Sequence, residues 1–188
     1  MTLTHRFASA LAVAVMLLAG VLNTNAQTPR PEYPRPQFER EAWVNLNGTW
    51  SYSFDFGKTG GQKGWRDSKG FEGKISVPFC PESVLSGVHH TDFINSMWYQ
   101  RQLNIPAAWE GKKILLNFGA VDYEAHVYVD GRLACLHNGA GSSFSCDLTP
   151  FVKAGQTHNL VVEVNDNLRS GVQTGGKQCF NLNSEGCM

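Results

Sequence analysis

The sequence predicts an all-β fold, an antiparallel β-sandwich or jelly roll. Apolar residues alternate with polar ones in about eight short segments, a repeat of two that is typical of strands buried on one face. Turn residues separate these segments, and Asp130-Gly131 is the clearest of them. No segment carries the 3.6-residue apolar repeat of a long amphipathic helix. Short strands, regular turns and no helix together favour a sandwich or jelly roll.

The first 26 residues have the pattern of a secretory signal peptide. Arg6 precedes an apolar run from Phe7 to Leu22, and small residues end the segment at Ala26. The apolar run is shorter than the roughly 20 residues of a membrane-spanning helix, so a signal peptide is favoured over a membrane anchor. We expect cleavage after Ala26 and an exported protein, periplasmic or extracellular, with no membrane segment after cleavage.

Residues 27–37 form a proline-rich leader before the domain, which we place at 38–188. Proline fixes φ and lacks a backbone donor, so we expect an extended leader. The prolines of this segment are Pro29, Pro31, Pro34 and Pro36.

The first half of the domain contains three predicted strands. Aromatic residues at every second position from Trp50 to Phe56 predict the first, which follows an Asn47-Gly48 turn. Trp43 and Trp50 are expected to fill the core. The second strand is a short one at 75–77 that ends at Pro78, and the third is a longer one at 98–105. Two loops separate the three strands: residues 57–73, which include Trp65, and residues 79–95.

The second half contains the central hairpin and two further strands. Alternating apolar residues predict strands at 114–118 and 125–129. Asp130-Gly131 then predicts a two-residue turn, because both central residues must accept a positive φ. An apolar run resumes at Leu133, and the remaining strands are predicted at 144–148 and 160–164.

Five cysteines follow the signal peptide: Cys80, Cys135, Cys146, Cys179 and Cys187. An exported chain permits disulfides, and an odd number leaves at least one thiol free or bonded to another molecule. Cys135 and Cys146 lie on neighbouring predicted strands. The sequence leaves open whether they form a bridge or are two buried thiols.

The charge balance and the cysteine spacing argue against nucleic acid and zinc as partners. The chain has 16 basic and 16 acidic residues and a formal net charge of zero, which disfavours nucleic acid as a partner. No Cys-x-x-Cys pair is present, which argues against a zinc site, and no cofactor is expected. His89, His90 and Asp92 lie in the long loop after Val77, and a contact role is favoured over a metal site because further ligands at a defined spacing are missing. His126, His137 and His158 are expected to be surface or hydrogen-bonded side chains.

A series of short motifs resembles one known domain. Residues 44–50, Val-Asn-Leu-Asn-Gly-Thr-Trp, resemble the opening of the N-terminal sugar-binding domain of family 2 glycoside hydrolases, the β-galactosidases, β-glucuronidases and β-mannosidases. Five further motifs occur in the order and spacing of that domain: Val77-Pro78-Phe79, Trp98 to Arg101, Asn117 to Tyr123, Val129-Asp130-Gly131 and Phe144 to Thr149. The resemblance covers about residues 38–188 and implies a jelly roll like that of galactose-binding domains. The sequence departs from the family pattern at Cys135 and Cys146, where a small and an aromatic residue are expected.

The resemblance implies a carbohydrate-binding role without catalysis by this chain. Members of the family continue into an immunoglobulin-like domain and a TIM barrel, which holds the two catalytic glutamates. We therefore expect the N-terminal carbohydrate-binding portion of a secreted, β-galactosidase-like enzyme that hydrolyses O-glycosyl bonds when complete. The fragment itself is expected to lack the last jelly-roll strand and to be inactive. Its expected partners are a β-glycoside and those downstream domains.

Candidate sugar-binding residues lie in loops at strand ends, where a scaffold places binding groups. They are Asp92, Asn95, Asp166, Asn167 and Arg169. Asp122 and Glu124 would share a face if they lay on one strand. We expect them to be polar residues of the solvated face and assign no catalytic residue.

Two other functions stay open at this level. The chain is also compatible with a free-standing secreted carbohydrate-binding module, or with a structural domain that completes a partner's active site. Glycan binding by the isolated chain would favour the module.

Overall fold

The computed structural model describes residues 28–167, which form an antiparallel jelly-roll β-sandwich. The predicted signal peptide and Arg169 lie outside this range. The strands are β1 (Gly48–Phe54), β2 (Gly73–Val77), β3 (Ser96–Asn104), β4 (Leu115–Phe118), β5 (Glu124–Val129), β6 (Arg132–Asn138), β7 (Phe144–Asp147) and β8 (Thr157–Asn165). Short 3-10 turns are the helical elements of residues 28–167: Pro36–Phe38, Trp65–Asp67, Val84–Ser86 and Ala107–Trp109. None of the helical elements in that range is long and apolar enough to cross a membrane.

The strands form two sheets with the core between them. Six strands pair in the order β2-β1-β3-β8-β5-β6, and β4 pairs with β7. All of the pairings are antiparallel. The inward side chains of alternate positions fill the core, as the two-residue repeat predicted; among them are Trp50, Tyr99, Val127, Leu160 and Val162. The predicted fold class is confirmed.

Strand β1 ends earlier than its aromatic repeat predicted. Phe56 was expected to continue the strand, but β1 ends at Phe54 and Phe56 is 54% exposed. Asp55 accounts for the ending, because its side chain accepts the backbone N–H groups of Thr59 and Gly60 at 2.9 and 2.7 Å. A side chain that binds the backbone ahead of it favours a turn over a continued strand.

The hairpin at Asp130-Gly131 is confirmed. Both residues have positive φ, 48° and 76°, and Val129 pairs with Arg132 across the turn. Gly131 suits this conformation because it lacks a Cβ.

The leader lies against the domain. The carbonyl of Arg30 accepts a hydrogen bond from the Asn45 side-chain amide at 2.8 Å. Tyr33 and Trp43 meet edge to face with ring centroids 4.8 Å apart. Trp50 is buried in the core as expected, whereas Trp43 is half-buried against this leader, so its expected place in the core was wrong. The segment is also not extended throughout, since a 3-10 turn begins at Pro36.

A disulfide joins Cys135 on β6 to Cys146 on β7, with the two Cα atoms 5.8 Å apart. Because β6 and β7 belong to different sheets, the bond links the two layers of the sandwich. The alternative of two buried thiols is thereby excluded.

Candidate functional site

The candidate site lies where three neighbouring strands of the large sheet begin or end. Asn165, the last residue of β8, pairs with Ser96 at the start of β3 and with Glu124 at the start of β5. Antiparallel pairing therefore brings the chain before β3, the chain before β5 and the chain after β8 to one edge. We call the residues of these three segments, Asn95, Asp122, Tyr123, Asp166 and Asn167, the strand-end cluster.

Backbone hydrogen bonds join the three segments. The backbone N–H of Asp166 donates to the Asn95 carbonyl at 3.2 Å, and that of Tyr123 donates to the Asn165 carbonyl at 3.4 Å. The Tyr123 carbonyl in turn accepts from Gly139 at 2.9 Å. The side chains of the cluster therefore stand on segments that sheet pairing holds in place.

Two carboxylates of the cluster are buried. Asp166 is 2% exposed and Asp122 is 7% exposed. The expectation that Asp122 shares a strand and a solvated face with Glu124 was wrong. Strand β5 begins only at Glu124, and Asp122 precedes it in a turn whose Asp122–Tyr123 peptide is cis. Burial of a carboxylate is costly unless its oxygens are hydrogen-bonded, so such groups often mark functional sites.

Asn95 offers an acceptor at the same edge. Its side-chain amide donates to the Phe56 carbonyl at 3.3 Å. Its Oδ1 is buried and has no hydrogen-bond partner among the described residues, and the same holds for the Ser96 hydroxyl. A buried polar atom of this kind needs an explanation, and a ligand hydroxyl would supply the missing hydrogen.

The structure joins two of the five predicted site residues directly. Asn95 and Asp166 are hydrogen-bonded through the backbone, and Asn167 follows as an exposed residue. Asp92 is exposed in the loop before β3, where its Oδ1 accepts the N–H of Phe93 at 2.7 Å. Arg169 lies outside the described residues. Sequence reasoning missed the buried state of Asp122, because it expected a polar residue on the solvated face of the sheet and Asp122 instead precedes β5.

An ionic cluster occupies the outer face of the sheet just beyond this edge. His126 on β5 contacts Glu124 through Nε2 and Glu163 on β8 through Nδ1, the latter at 3.1 Å. The Tyr128 hydroxyl donates to the same Glu163 oxygen at 3.2 Å. The hydrogen bond to Glu163 raises the pKa of His126 despite partial burial. Burial and the negative charge of Glu163 raise the pKa of Tyr128 to about 12, so it stays a neutral donor.

Burial alone would raise the pKa of Glu163, but its hydrogen bond to His126 and the charge of that ring lower it overall. The ring and the carboxylate therefore favour each other's charged form. This cluster orders the face next to the candidate site without entering the strand-end cluster.

The chemistry of the strand-end cluster suits a polyhydroxylated ligand. Carboxylates accept hydrogen bonds from several hydroxyls, and the Asn95 amide adds an acceptor. Side chains of these types can bind and orient such a ligand.

The sequence profile described as "Glycosyl hydrolases family 2, sugar binding domain" matches residues 86–183, more than half of the chain. The chain belongs to this family. It is the sugar-binding domain that stands at the N-terminus of family 2 glycosidases. The resemblance inferred from the sequence motifs is thus confirmed, and the matched range includes the strand-end cluster.

Curated relatives within family 2 are glycosidases. The chain is 28% identical over 149 residues to a β-glucuronidase of Felis catus, covering 72% of this chain and 23% of that protein. It is 29% identical over 131 residues to a β-galactosidase of Thermoanaerobacter pseudethanolicus, covering 63% and 16%. The chain therefore spans about a fifth of the length of the relatives that it matches.

Solved structures agree with this family assignment. A β-glucuronidase of Ruminococcus gnavus in complex with N1-substituted uronic isofagomine superimposes with a TM-score of 0.64 at 27% identity. The match covers 73% of this chain and 24% of that one. A second structure of the R. gnavus enzyme, in complex with uronic deoxynojirimycin, gives a TM-score of 0.61 at 28% identity and covers 67% and 22%.

Proposed function

We propose that the strand-end cluster contributes hydrogen bonds to a β-glycoside bound by a complete family 2 β-glycosidase. The observation that carries this proposal is the meeting of Asn95 and the buried Asp166 at the edge where Asp122 is also buried. The unpartnered Asn95 Oδ1 supports it, because a sugar hydroxyl would satisfy that atom. Asp92, Asn167 and Arg169 are proposed to complete the same binding surface.

The chemical step is assigned to residues outside this chain. Retaining hydrolysis needs two carboxyl groups about 5 to 5.5 Å apart on either side of the glycosidic bond. The family resemblance implies that this pair lies in a TIM barrel, and the greater length of the relatives, several times that of this chain, supports this. We propose that an immunoglobulin-like domain and such a barrel are the partners of this domain, and that the chain alone hydrolyses nothing.

Kinetics of a complete enzyme carrying this domain test the binding role. Asp166→Asn keeps the size of the side chain and removes its charge, and loss of a hydrogen bond to a charged group should lower kcat/KM about 10- to 100-fold. Asp147→Asn, at an exposed position of β7, is the matched control and should leave kcat/KM unchanged. Equal kinetics of the two variants would contradict the proposed role of Asp166.

Assays of the chain by itself test the assignment of catalysis. The purified chain is expected to show no turnover of aryl β-galactosides or aryl β-glucuronides above the blank. Turnover that disappears in Asp122→Asn or Glu124→Gln would instead place a catalytic pair in this domain.

We also propose that the protein is exported, to the periplasm or the medium. The signal pattern of residues 1–26 and the Cys135–Cys146 disulfide support this, since disulfides persist in oxidising compartments. Mass spectrometry of exported material should give an N-terminus at Gln27. Retention of Met1 would contradict cleavage.

A further inference from the structure

A cleft of about 460 Å³ opens beside β1, and the strand-end cluster takes no part in it. Strand β2 pairs with β1 only as far as Tyr52, which lies opposite Gly73. The chain before Gly73 then diverges from β1, and the cleft lies in the gap. Its volume is in the range of small-molecule binding sites.

Four of the nine residues that line the cleft are aromatic. Tyr52 and Phe54 come from β1, and Trp65 and Phe71 come from the loop between β1 and β2. The rings of Trp65 and Phe71 meet at an angle of 61°, with centroids 5.5 Å apart. Trp65 and Phe71 are both half-buried, so neither residue is closed off from the solvent.

Contacts with the sheet hold the Trp65 side chain in place in the absence of a ligand. Trp65 meets the fully buried Trp98 edge to face, with centroids 6.0 Å apart and an angle of 87°. The indole N–H of Trp98 donates to Asp55 at 3.1 Å. Asp55 also accepts the N–H of Gly60 in the same loop. The aromatic wall is therefore preorganised, which lowers the entropic cost of binding.

The base of the loop is anchored to the outer face of the large sheet. The Asn159 side-chain amide donates to the Ser68 carbonyl at 2.8 Å. Gln100 in turn donates to Asn159 at 2.8 Å and accepts from Ser51 at 2.8 Å. This chain of hydrogen bonds crosses β8, β3 and β1, so it fixes the part of the loop at Ser68, which lines the cleft, to the sheet.

We propose that this cleft binds a neutral glycan, in a site separate from the strand-end cluster. A pyranose ring stacks its C–H face on aromatic side chains and presents hydroxyls at its rim. Ser53 and Ser68 place hydroxyls in the lining, and Glu72 is its single charged side chain. A carboxylate accepts sugar hydroxyls but repels an acidic sugar. The Lys63 ammonium, 5.1 Å from the centroid of the Trp65 ring, offsets this negative charge. The cleft therefore has no excess charge that would select a charged sugar, and it fits neutral units.

Affinity electrophoresis of the full chain tests the proposal. The gels contain xylan, galactan or glucomannan as neutral probes and polygalacturonate as the anionic probe. We expect retardation by at least one neutral polysaccharide and weaker or no retardation by polygalacturonate. Trp65→Ala and Phe71→Ala should each weaken binding about 10-fold, since each removes a stacking ring.

Two controls separate this site from the rest of the molecule. Trp43→Ala removes a half-buried tryptophan that packs on Tyr33 outside the cleft and should leave retardation unchanged. Asp166→Asn should also leave retardation unchanged. Failure of the proposed role of the strand-end cluster can therefore be distinguished from failure of the proposed cleft site. Glu72→Gln changes an exposed side chain and keeps the test valid if Trp65→Ala does not fold. It should reduce the preference for neutral over anionic polysaccharide.

Three results would overturn the proposal. The first is that none of the three neutral polysaccharides retards the wild-type protein. The cleft would then be assigned to a protein segment in place of a glycan. The second is unchanged retardation in Trp65→Ala, Phe71→Ala and Glu72→Gln together. The third is stronger retardation by polygalacturonate than by every neutral polysaccharide.

Discussion

Asp130 ties the β5–β6 turn to strand β8. Its Oδ1 accepts the backbone N–H of Asn159 at 2.8 Å, and its Oδ2 accepts from His158 Nδ1 at 2.7 Å. The other ring nitrogen of His158 accepts the N–H of Lys153 at 2.9 Å, so the proton of a neutral ring is on Nδ1. Although burial opposes ionisation, the bonds from Asn159 and His158 lower the pKa of Asp130. His158 is thus a hydrogen-bonded histidine, as the sequence predicted.

Asp130→Asn isolates the contact with His158. Asparagine tolerates a positive φ and keeps an acceptor for Asn159, but its NH₂ group faces the N–H of His158. Loss of this partly buried bond would leave the buried His158 without its acceptor and should lower the free energy of unfolding by about 1 to 3 kcal/mol. Urea denaturation measures the change, with the exposed Glu110→Gln as the control. A loss no larger than that of the control would show that the contact contributes nothing.

His126 gives the stability a dependence on pH. The hydrogen bond to Glu163 is the main cause that raises the pKa of His126 in the folded state. The contribution of His126 to the free energy of unfolding is therefore complete below the unfolded pKa of about 6.5. It is lost as pH rises through the folded pKa. Glu163 behaves oppositely: its lowered pKa gives a contribution that is present above an unfolded pKa of about 4.3 and lost as pH falls through the folded pKa. The two contributions coincide between about pH 4.3 and 6.5.

His126→Gln should therefore cost most stability in that window. The difference in free energy of unfolding from wild type should begin to shrink above about pH 6.5, where the unfolded ring loses its proton, and should disappear as pH rises through the raised pKa of the folded ring. Urea denaturation between pH 4.5 and 9 measures the profile. His137→Gln is the matched control, since that ring contacts the Ser142 hydroxyl and should give a flatter profile. Parallel profiles for both variants would refute the ion-pair explanation.

At the scale of elements, the loop between β1 and β2 depends on one close approach. Gly60 is buried between the rings of Trp65 and Trp98. A Cβ at Gly60 would lie 2.5 Å from Trp98 Nε1 and 2.7 Å from Trp65 Cε3. Trp98 has no room to retreat without disturbing the sheet, because it is fully buried and bonded to Asp55.

Gly60→Ala should lower the free energy of unfolding by about 1 to 3 kcal/mol, the usual cost of overpacking. Gly61→Ala is the matched control, because a Cβ there meets nothing within 4 Å. Thermal unfolding followed by tryptophan fluorescence compares the two variants. Equal melting temperatures would mean that the loop yields without cost and that the Trp65 wall is not rigid.

At the scale of the whole molecule, the disulfide is the covalent link between the two sheets. Strand β7 belongs to the two-stranded sheet and β6 is the edge of the six-stranded one, and Cys146 is buried in the shared core. The bond closes a short loop, with a sequence separation of 11 residues. It restricts the unfolded chain and holds the small sheet in place.

Replacement of both Cys135 and Cys146 by serine should lower the free energy of unfolding by about 2 to 4 kcal/mol. Reduced wild type should likewise have a lower free energy of unfolding than oxidised wild type. Cys80→Ser is the control, since Cys80 is free among the described residues and outside the link. Stability unaffected by the double replacement would show that packing alone joins the sheets.

The sequence by itself determined the class of fold, the eight strands, the Asp130-Gly131 turn and the family. These features are encoded over a few neighbouring residues, because a two-residue repeat or a turn dipeptide acts locally. Tertiary structure decided the end of β1 at Phe54, the burial of Asp122 and the meeting of Asn95 with Asp166. Those outcomes depend on partners far apart in the chain, since the bond from Asp166 to Asn95 forms only after β3 and β8 have paired.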